Sequence, residues 1–283
     1  MVISFAGSRA GCNSAGRLPV LNLFSLLLMK KLLLLAGFGL LGASSALHAQ
    51  EFKTPLGKDR KVVLDLPGSN VTVEGYDGTD LVIRGNGFVP PPPRAEGLRP
   101  VFNPAVDNTK VGVSVTQQGR VVRIVQASRK DATYTIRVPR STAVQYTQTN
   151  WGSGALLVRD VTGDLEMDMQ TANLQLLNVT GAVVVNSVSG GVTVRYAALR
   201  SGPSSISVVS GDVDVTLPAT SKVTLKLRNI SGEIYTDFDL ALPKDQGNLR
   251  HLGGQVVDGA VNGGGTELSL KAIEGNIYVR KAK

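Results

Sequence analysis

Cysteine is nearly absent: of 283 residues, Cys12 alone carries a thiol. A disulfide framework and cysteine-based metal or nucleophile chemistry are therefore excluded for the rest of the chain. Histidine is almost as scarce, with His48 and His251 the two copies. Hydrolysis by a serine triad needs a histidine base beside a nucleophile and an orienting acid, and no Gly-x-Ser-x-Gly motif accompanies His251, which reads as a surface residue. Zinc would need carboxylates in place of the missing His and Cys ligands. Aromatic residues make up 5% and charged residues 18%. No basic stripe interleaved with aromatics occurs, so nucleic acid is not an expected partner. Long apolar runs are missing as well. Leu32–Leu41 spans about half of the roughly 20 residues a membrane helix requires.

That short run has a specific context. Met29-Lys30-Lys31, then Leu32–Leu41, then the small residues Gly42–Ala49 have the three parts of a secretory signal, with a cut near Ala49-Gln50. We read 1–28 as lying upstream of the true start at Met29, with an extended leading region as the alternative, and 29–49 as the signal peptide. The segment 1–49 holds Arg9, Arg17, Lys30 and Lys31 and no acid, so removing these four from 30 basic residues leaves 26 against 22 acidic ones. Half of the net charge of +8 thus belongs to the leader. No cysteine follows the cut to take a lipid. The expected location is the periplasm, the outer-membrane surface or the extracellular space, with no integral membrane segment in the mature chain.

What the chain has in abundance is Val, Leu, Thr and 32 Gly, a composition suited to strands. Gly154, Gly163, Ala172, Gly181 and Gly190 open successive nine-residue copies. Two and four residues later stand Leu156/Val158, Leu165/Met167, Leu174/Leu176, Val183/Val185 and Val192/Val194. A further, mostly apolar column contains Val161, Gln170, Val179, Val188 and Ala197, and Thr162, Thr171, Thr180 and Ser189 close the copies. Period-two alternation inside a fixed longer period is the pattern of stacked short strands. Nine extended residues span at most about 30 Å, whereas a coil with two strands and two crossings needs about 40 Å, so nine residues make half a coil. Gly154, Ala172, Gly190, Gly211, Gly232, Gly254 and Gly275 then start successive coils, each followed at the second position by Leu156, Leu174, Val192, Val213, Ile234, Val256 or Ile277. The apolar residues Val188, Val209, Ile230, Leu252 and Ile273 precede the later starts by two, and these columns are read as accounted for by folding. The predicted fold is all-β: a single-stranded β-helix or β-solenoid with about 18–22 residues per coil, regular over 151–283.

Residues 50–150 are read as part of the same domain and as including its first cap. Alternating runs at Val63–Leu66, Val71–Val73 and Leu81–Ile83 are separated by Pro67-Gly68-Ser69-Asn70 and Tyr76-Asp77-Gly78. The segment 86–110, with Pro90–Pro93, reads as an inserted proline-rich surface loop. Strands are expected again at Val111–Thr116, Val121–Gln126, Thr133–Val138 and Ala143–Thr149. Arg120, Arg123, Arg129, Lys130, Arg137 and Arg140 fall here, either a solvated face or a docking surface for an anionic polymer.

Calcium-binding nonapeptide repeats need Gly-Gly-x-Gly-x-Asp-x-apolar-x, and Gly163-Asp164-Leu165-Glu166-Met167-Asp168 lacks that frame. Asp164, Glu166 and Asp168 are expected to form an outward acidic patch. The nine-residue column Arg159, Asp168, Leu177, Asn186, Arg195 points outward, and Arg159, Asp168, Asn186 and Arg195 form the candidate binding face. Arg159 and Arg195, two coils apart, should lie about 10 Å from each other. Leu157, Leu177 and Val184 are expected as exposed apolar residues that pack on another segment or meet a partner. No catalytic residue, metal or cofactor is assigned.

The phrases Leu177-Asn178-Val179-Thr180-Gly181, Val185-Asn186-Ser187-Val188-Ser189-Gly190, Ile230-Ser231-Gly232-Glu233-Ile234-Tyr235-Thr236-Asp237-Phe238 and Glu274-Gly275-Asn276-Ile277-Tyr278-Val279-Arg280-Lys281 resemble the adhesin-type β-strand-repeat family of exported bacterial proteins, which is related to head domains assigned to adhesins. The resemblance covers 150–283 well and 50–150 loosely. It implies an all-β, helix-like fold, export, and a role in attachment or envelope interaction, without catalytic residues. The functional expectation is a non-enzymatic, adhesin-like protein that binds a polymer or protein at the cell envelope. The alternatives are a β-helix polysaccharide lyase or hydrolase and a self-associating envelope scaffold.

Overall fold

Alternation of apolar and polar residues converts directly into strands with one buried and one outward face. The computed structural model describes residues 50–57, 59–98, 101–148, 154–200, 202–240 and 255–283. Residues 1–49, Trp151, Arg250, His251, Leu252 and Gly254 lie outside the described residues, and with them the expectations placed there. In the N-terminal half the strands are β1 (Gln50–Pro55), β2 (Lys61–Asp65), β3 (Asn70–Tyr76), β4 (Asp80–Gly85), β5 (Val113–Gln118), β6 (Val121–Gln126), β7 (Thr133–Pro139) and β8 (Ala143–Thr147). The repeat supplies β9 (Leu156–Arg159), β10 (Leu165–Thr171), β11 (Leu174–Val179), β12 (Val183–Ser189), β13 (Val192–Tyr196), β14 (Ser204–Ser210) and β15 (Val213–Leu217). The chain closes with β16 (Val223–Ser231), β17 (Ile234–Thr236), β18 (Gln255–Val261), β19 (Thr266–Glu274) and β20 (Ile277–Lys281). The fold is all-β, and the strands form two ten-stranded sheets.

Strands β9 to β15 alternate between the sheets, and each of β9 to β13 pairs in parallel with the strand two further along. Leu165 lies beside Val183, and Leu174 beside Val192, so a nine-residue copy is half of the repeating unit. Inward residues of both sheets, from Leu56 to Val279, merge into one core. Ala49–Lys283 form one compact unit.

The corners explain the glycines. An added Cβ on Gly211, whose φ is +144°, would sit 2.4 Å from the Gly190 carbonyl oxygen, and on Gly275 2.3 Å from that of Gly211. Beside this glycine column runs a second one. The side-chain oxygens of Asn70, Asp164, Asn173, Asp212 and Asn276 accept backbone N–H groups of the next unit, from Ala155, Ala182, Gly191, Asn276 and Glu233 respectively. Each such bond ties a corner N–H to a side chain of the neighbouring unit.

The order of the last units departs from the sequence expectation. The first sheet runs β1-β4-β7-β3-β9-β11-β13-β15-β20-β17 and the second β18-β16-β19-β14-β12-β10-β8-β2-β6-β5. The β19–β20 unit is inserted between the β14–β15 and β16–β17 units, so Gly275 follows Gly211 in space and Gly232 follows Gly275. The strand that follows in sequence adds no further parallel step either. Gln255–Val261 pairs antiparallel with β16 at the edge of the second sheet, and Val256 is 42% exposed. The cause is the turn at 262–265. Asn262, Gly263 and Gly264 have positive φ, and the Asn262 amide donates to the Ala219 and Ser221 carbonyls, carrying the chain across the start of β16. The opposite end is built similarly. The β6–β7 unit lies outside β2–β3, and β4 and β5 add antiparallel strands against β7 and β6. Antiparallel strands thus flank the parallel run at three of its four sheet ends, and the short parallel strand β17 forms the fourth.

Candidate binding face

The outward positions fall into rows that cross the strands. On the first sheet one row is defined by register: Lys53, Val82, Arg137, Glu74, Arg159, Leu177, Arg195, Thr216 and Arg280, on β1, β4, β7, β3, β9, β11, β13, β15 and β20. Cations occupy every second strand. At roughly 4.8 Å between strands, neighbouring cations are spaced about 10 Å along a row of about 40 Å. Two residues towards the start of these strands lies a second row, uncharged through Thr135, Thr72, Leu157, Gln175 and Thr193, which ends in Asp214, Tyr278 and Tyr235 on one side and continues from Thr135 into Arg84 and Glu51 on the other.

Several acids of this face are paired with its cations, whereas Asp237, beside Arg280, accepts the Lys281 backbone N–H and Asp160 accepts from the Asn178 amide. Glu74 bonds Arg159 and stands 3.9 Å from Arg137; Lys53 pairs with Asp80 at 3.0 Å and Arg280 with Asp214 at 3.1 Å. These bonds hold the Arg159, Arg280 and Lys53 protons more firmly than usual, chiefly through the side-chain hydrogen bond to Glu74, Asp214 and Asp80 respectively. Arg137 lies over the Tyr76 ring at 4.5 Å and Arg280 over Tyr278 at 5.0 Å, and Tyr278 stacks on Tyr235. Among the described residues Arg195 makes no salt bridge and is exposed.

The candidate face named from the sequence is divided by this geometry. Arg159 and Arg195 lie in the first sheet with Leu177 between them, whereas Asp168 and Asn186 are neighbours in the second sheet. All four are exposed, but a nine-residue step is half a unit and moves a residue to the other sheet. Arg159 and Arg195 belong together and Asp168 and Asn186 belong elsewhere. Asp164, Glu166 and Asp168 are exposed as expected, with Glu166 paired to Lys61 at 2.8 Å. Leu157 and Leu177 are half-buried, and Val184 is exposed. Arg140 pairs with Asp77 at 2.8 Å, and that bond holds the Asp77 carboxyl below its usual range.

The second sheet differs in character. Val188, Val209, Ile273 and Ile230 are adjacent on its outer surface across β12, β14, β19 and β16. Val188 is 36%, Val209 41% and Ile230 57% exposed, so this part of the apolar column is not absorbed by the core, unlike Val161 and Val179, which are fully buried. The proline-rich segment carries a third surface, a cleft of about 680 Å³ lined by Phe88, Val89, Leu98, Val106 and Arg129 among others. Among the described residues no three His, Cys, Asp or Glu side chains are grouped to hold a metal ion, and no helix is long and apolar enough to cross a membrane.

Residues 143–280 match the Toastrack DUF4097 family. Among solved structures, a "putative cell adhesion protein" from Clostridium sporogenes is similar over 82% of this chain and 99% of its own, at 14% identity and a TM-score of 0.40. A "putative adhesin" from Bacteroides fragilis is similar over 82% and 96%, at 12% identity and a TM-score of 0.36. A "putative lipid binding protein" from Parabacteroides distasonis is similar over 83% and 98%, at 12% identity and a TM-score of 0.30. No curated relative matches the sequence.

Proposed function

We propose that this chain is an exported, non-enzymatic, adhesin-like β-solenoid that binds a polymer or protein at the cell envelope. The observation that carries the reading is the outer face of the first sheet. Ten adjacent strands at regular pitch make one continuous surface about 40 Å long, with side chains presented at every strand. Stacked repeats create extended surfaces of this kind, which suit long partners better than small ones. The three-part leader at 29–49 supports export, and the repeat of 18 to 21 residues supports a coiled solenoid path. Purified protein mixed with envelope fractions and arrayed glycans should be retained on at least one of them and released by salt. Absence of retention at every salt concentration would overturn this reading.

A further inference from the structure

Beyond the general envelope reading, and resting on it, the geometry points to a ligand class. We propose that the alternating cation row of the first sheet binds a linear acidic polysaccharide laid across the strands, with carboxylate or sulfate groups recurring at about 10 Å.

The spacing comes from the fold. Lys53, Arg137, Arg159, Arg195 and Arg280 sit on alternate strands and derive from segments as far apart in sequence as β1 and β20. The stack therefore assembles a period that no single segment encodes. Guanidinium groups match carboxylates and sulfates in a planar, two-pronged geometry. Between the cations the row is mainly neutral, with Val82, Leu177 and Thr216, and beside it Thr72, Gln175 and Thr193 offer uncharged hydrogen-bonding groups for hydroxyls. The existing ion pairs do not close the site. Their cationic side chains are substantially exposed, 60% for Lys53, 49% for Arg159 and 53% for Arg280, and the acids less so, 23% for Asp80, 21% for Glu74 and 32% for Asp214. Exposed pairs contribute little and exchange for a competing anion at small cost. Arg195, at the centre of the C-terminal half of the row, makes no salt bridge among the described residues.

Charge density favours a glycan over nucleic acid. Duplex DNA carries one charge per about 1.7 Å of axis, and a cation every 10 Å would leave most phosphates unmatched.

The test compares the full chain with an R159A/R195A double variant and with a second-sheet control, K226A/K271A. Hyaluronan oligosaccharides, which bear a carboxylate on alternate sugars, are the probe; dextran and duplex DNA are the comparators. The full chain should bind hyaluronan with an affinity that falls steeply with salt, and should not bind dextran. Losing two charge-assisted contacts should weaken binding by roughly tenfold or more, with R195K restoring part of it when set against R195A. The control should bind as the full chain does. Equal binding by R159A/R195A, equal loss in K226A/K271A, binding of dextran, or tighter binding of DNA would each overturn the proposal. Thermal unfolding of every variant separates lost binding from lost fold, and R195Q serves if R195A unfolds. Retention of the full chain and of R159A/R195A alike on envelope fractions would refute this row alone and leave the envelope reading standing.

Discussion

At the scale of single residues, the corners are less tolerant than the surface. A Cβ at Gly211 would collide with the Gly190 carbonyl oxygen at 2.4 Å while the backbone is held at a φ of +144°, a region side chains avoid. Gly211→Ala should therefore cost about 2–4 kcal/mol, the range of strain plus steric displacement. Gly119, in an open turn with a φ of +59° and no atom near the site of a Cβ, should cost about 1 kcal/mol when replaced by Ala. Urea midpoints of the two variants give the comparison, and equal losses would sink the corner argument. Buried phenols make a second case. Burial pushes Tyr134, Tyr146 and Tyr196 from 10.0 up to about 12. The folded state thus favours the neutral phenol, so stability is intact below pH 10 and falls as pH rises towards 12. Unfolding followed by circular dichroism across that window should show the loss, and Tyr146→Phe, which removes the hydroxyl bonded to the Leu66 carbonyl, should make it shallower. A stability curve flat to pH 12 would contradict this.

At the scale of elements, the inserted β19–β20 unit is the least dispensable part of the C-terminal half. It holds β14 and β16 on its two sides in one sheet and β15 and β17 in the other. Leu268, Leu270, Ala272, Ile277 and Val279, all fully buried, come from it. Their burial contributes on the order of 10 kcal/mol, comparable with the entire stability of a typical domain. Deleting residues 266–283 should abolish cooperative folding. In a stack assembled in sequence order the same deletion would trim only a terminal unit. A truncated chain that kept its strand signal and its thermal midpoint would show that the units do not depend on the insertion.

At the scale of the whole molecule, the repeat was legible because its evidence is local. Alternation marks the strands, and contour length makes nine residues half a unit. Insertion of β19–β20 was not legible, since Gly254 with Val256 satisfies the same column rule as Gly232 with Ile234; only the turn at 262–265 decides that β18 runs backwards. A weaker signal for the order was present in the Asx column: Asp212 bonds the backbone of Asn276, and Asn276 that of Glu233. In the candidate face, Arg159 and Arg195 share a row because they are a whole number of units apart. Arg137 and Arg280 share their row through strand order, and Asp168 and Asn186 were misassigned because the half-unit step crosses to the other sheet.

Antiparallel strands and exchanged unit order at both ends also fix where the structure can lengthen. A repeat appended after β20 finds both sides of that strand already taken by β15 and β17, whereas the middle, from β9 to β13, is a run of interchangeable steps. An 18-residue block duplicated there would leave both ends as they are and move them apart by about 4.8 Å. Such a protein has an adjustable ruler between two fixed ends, and growth by internal duplication would extend its reach without rebuilding either terminus.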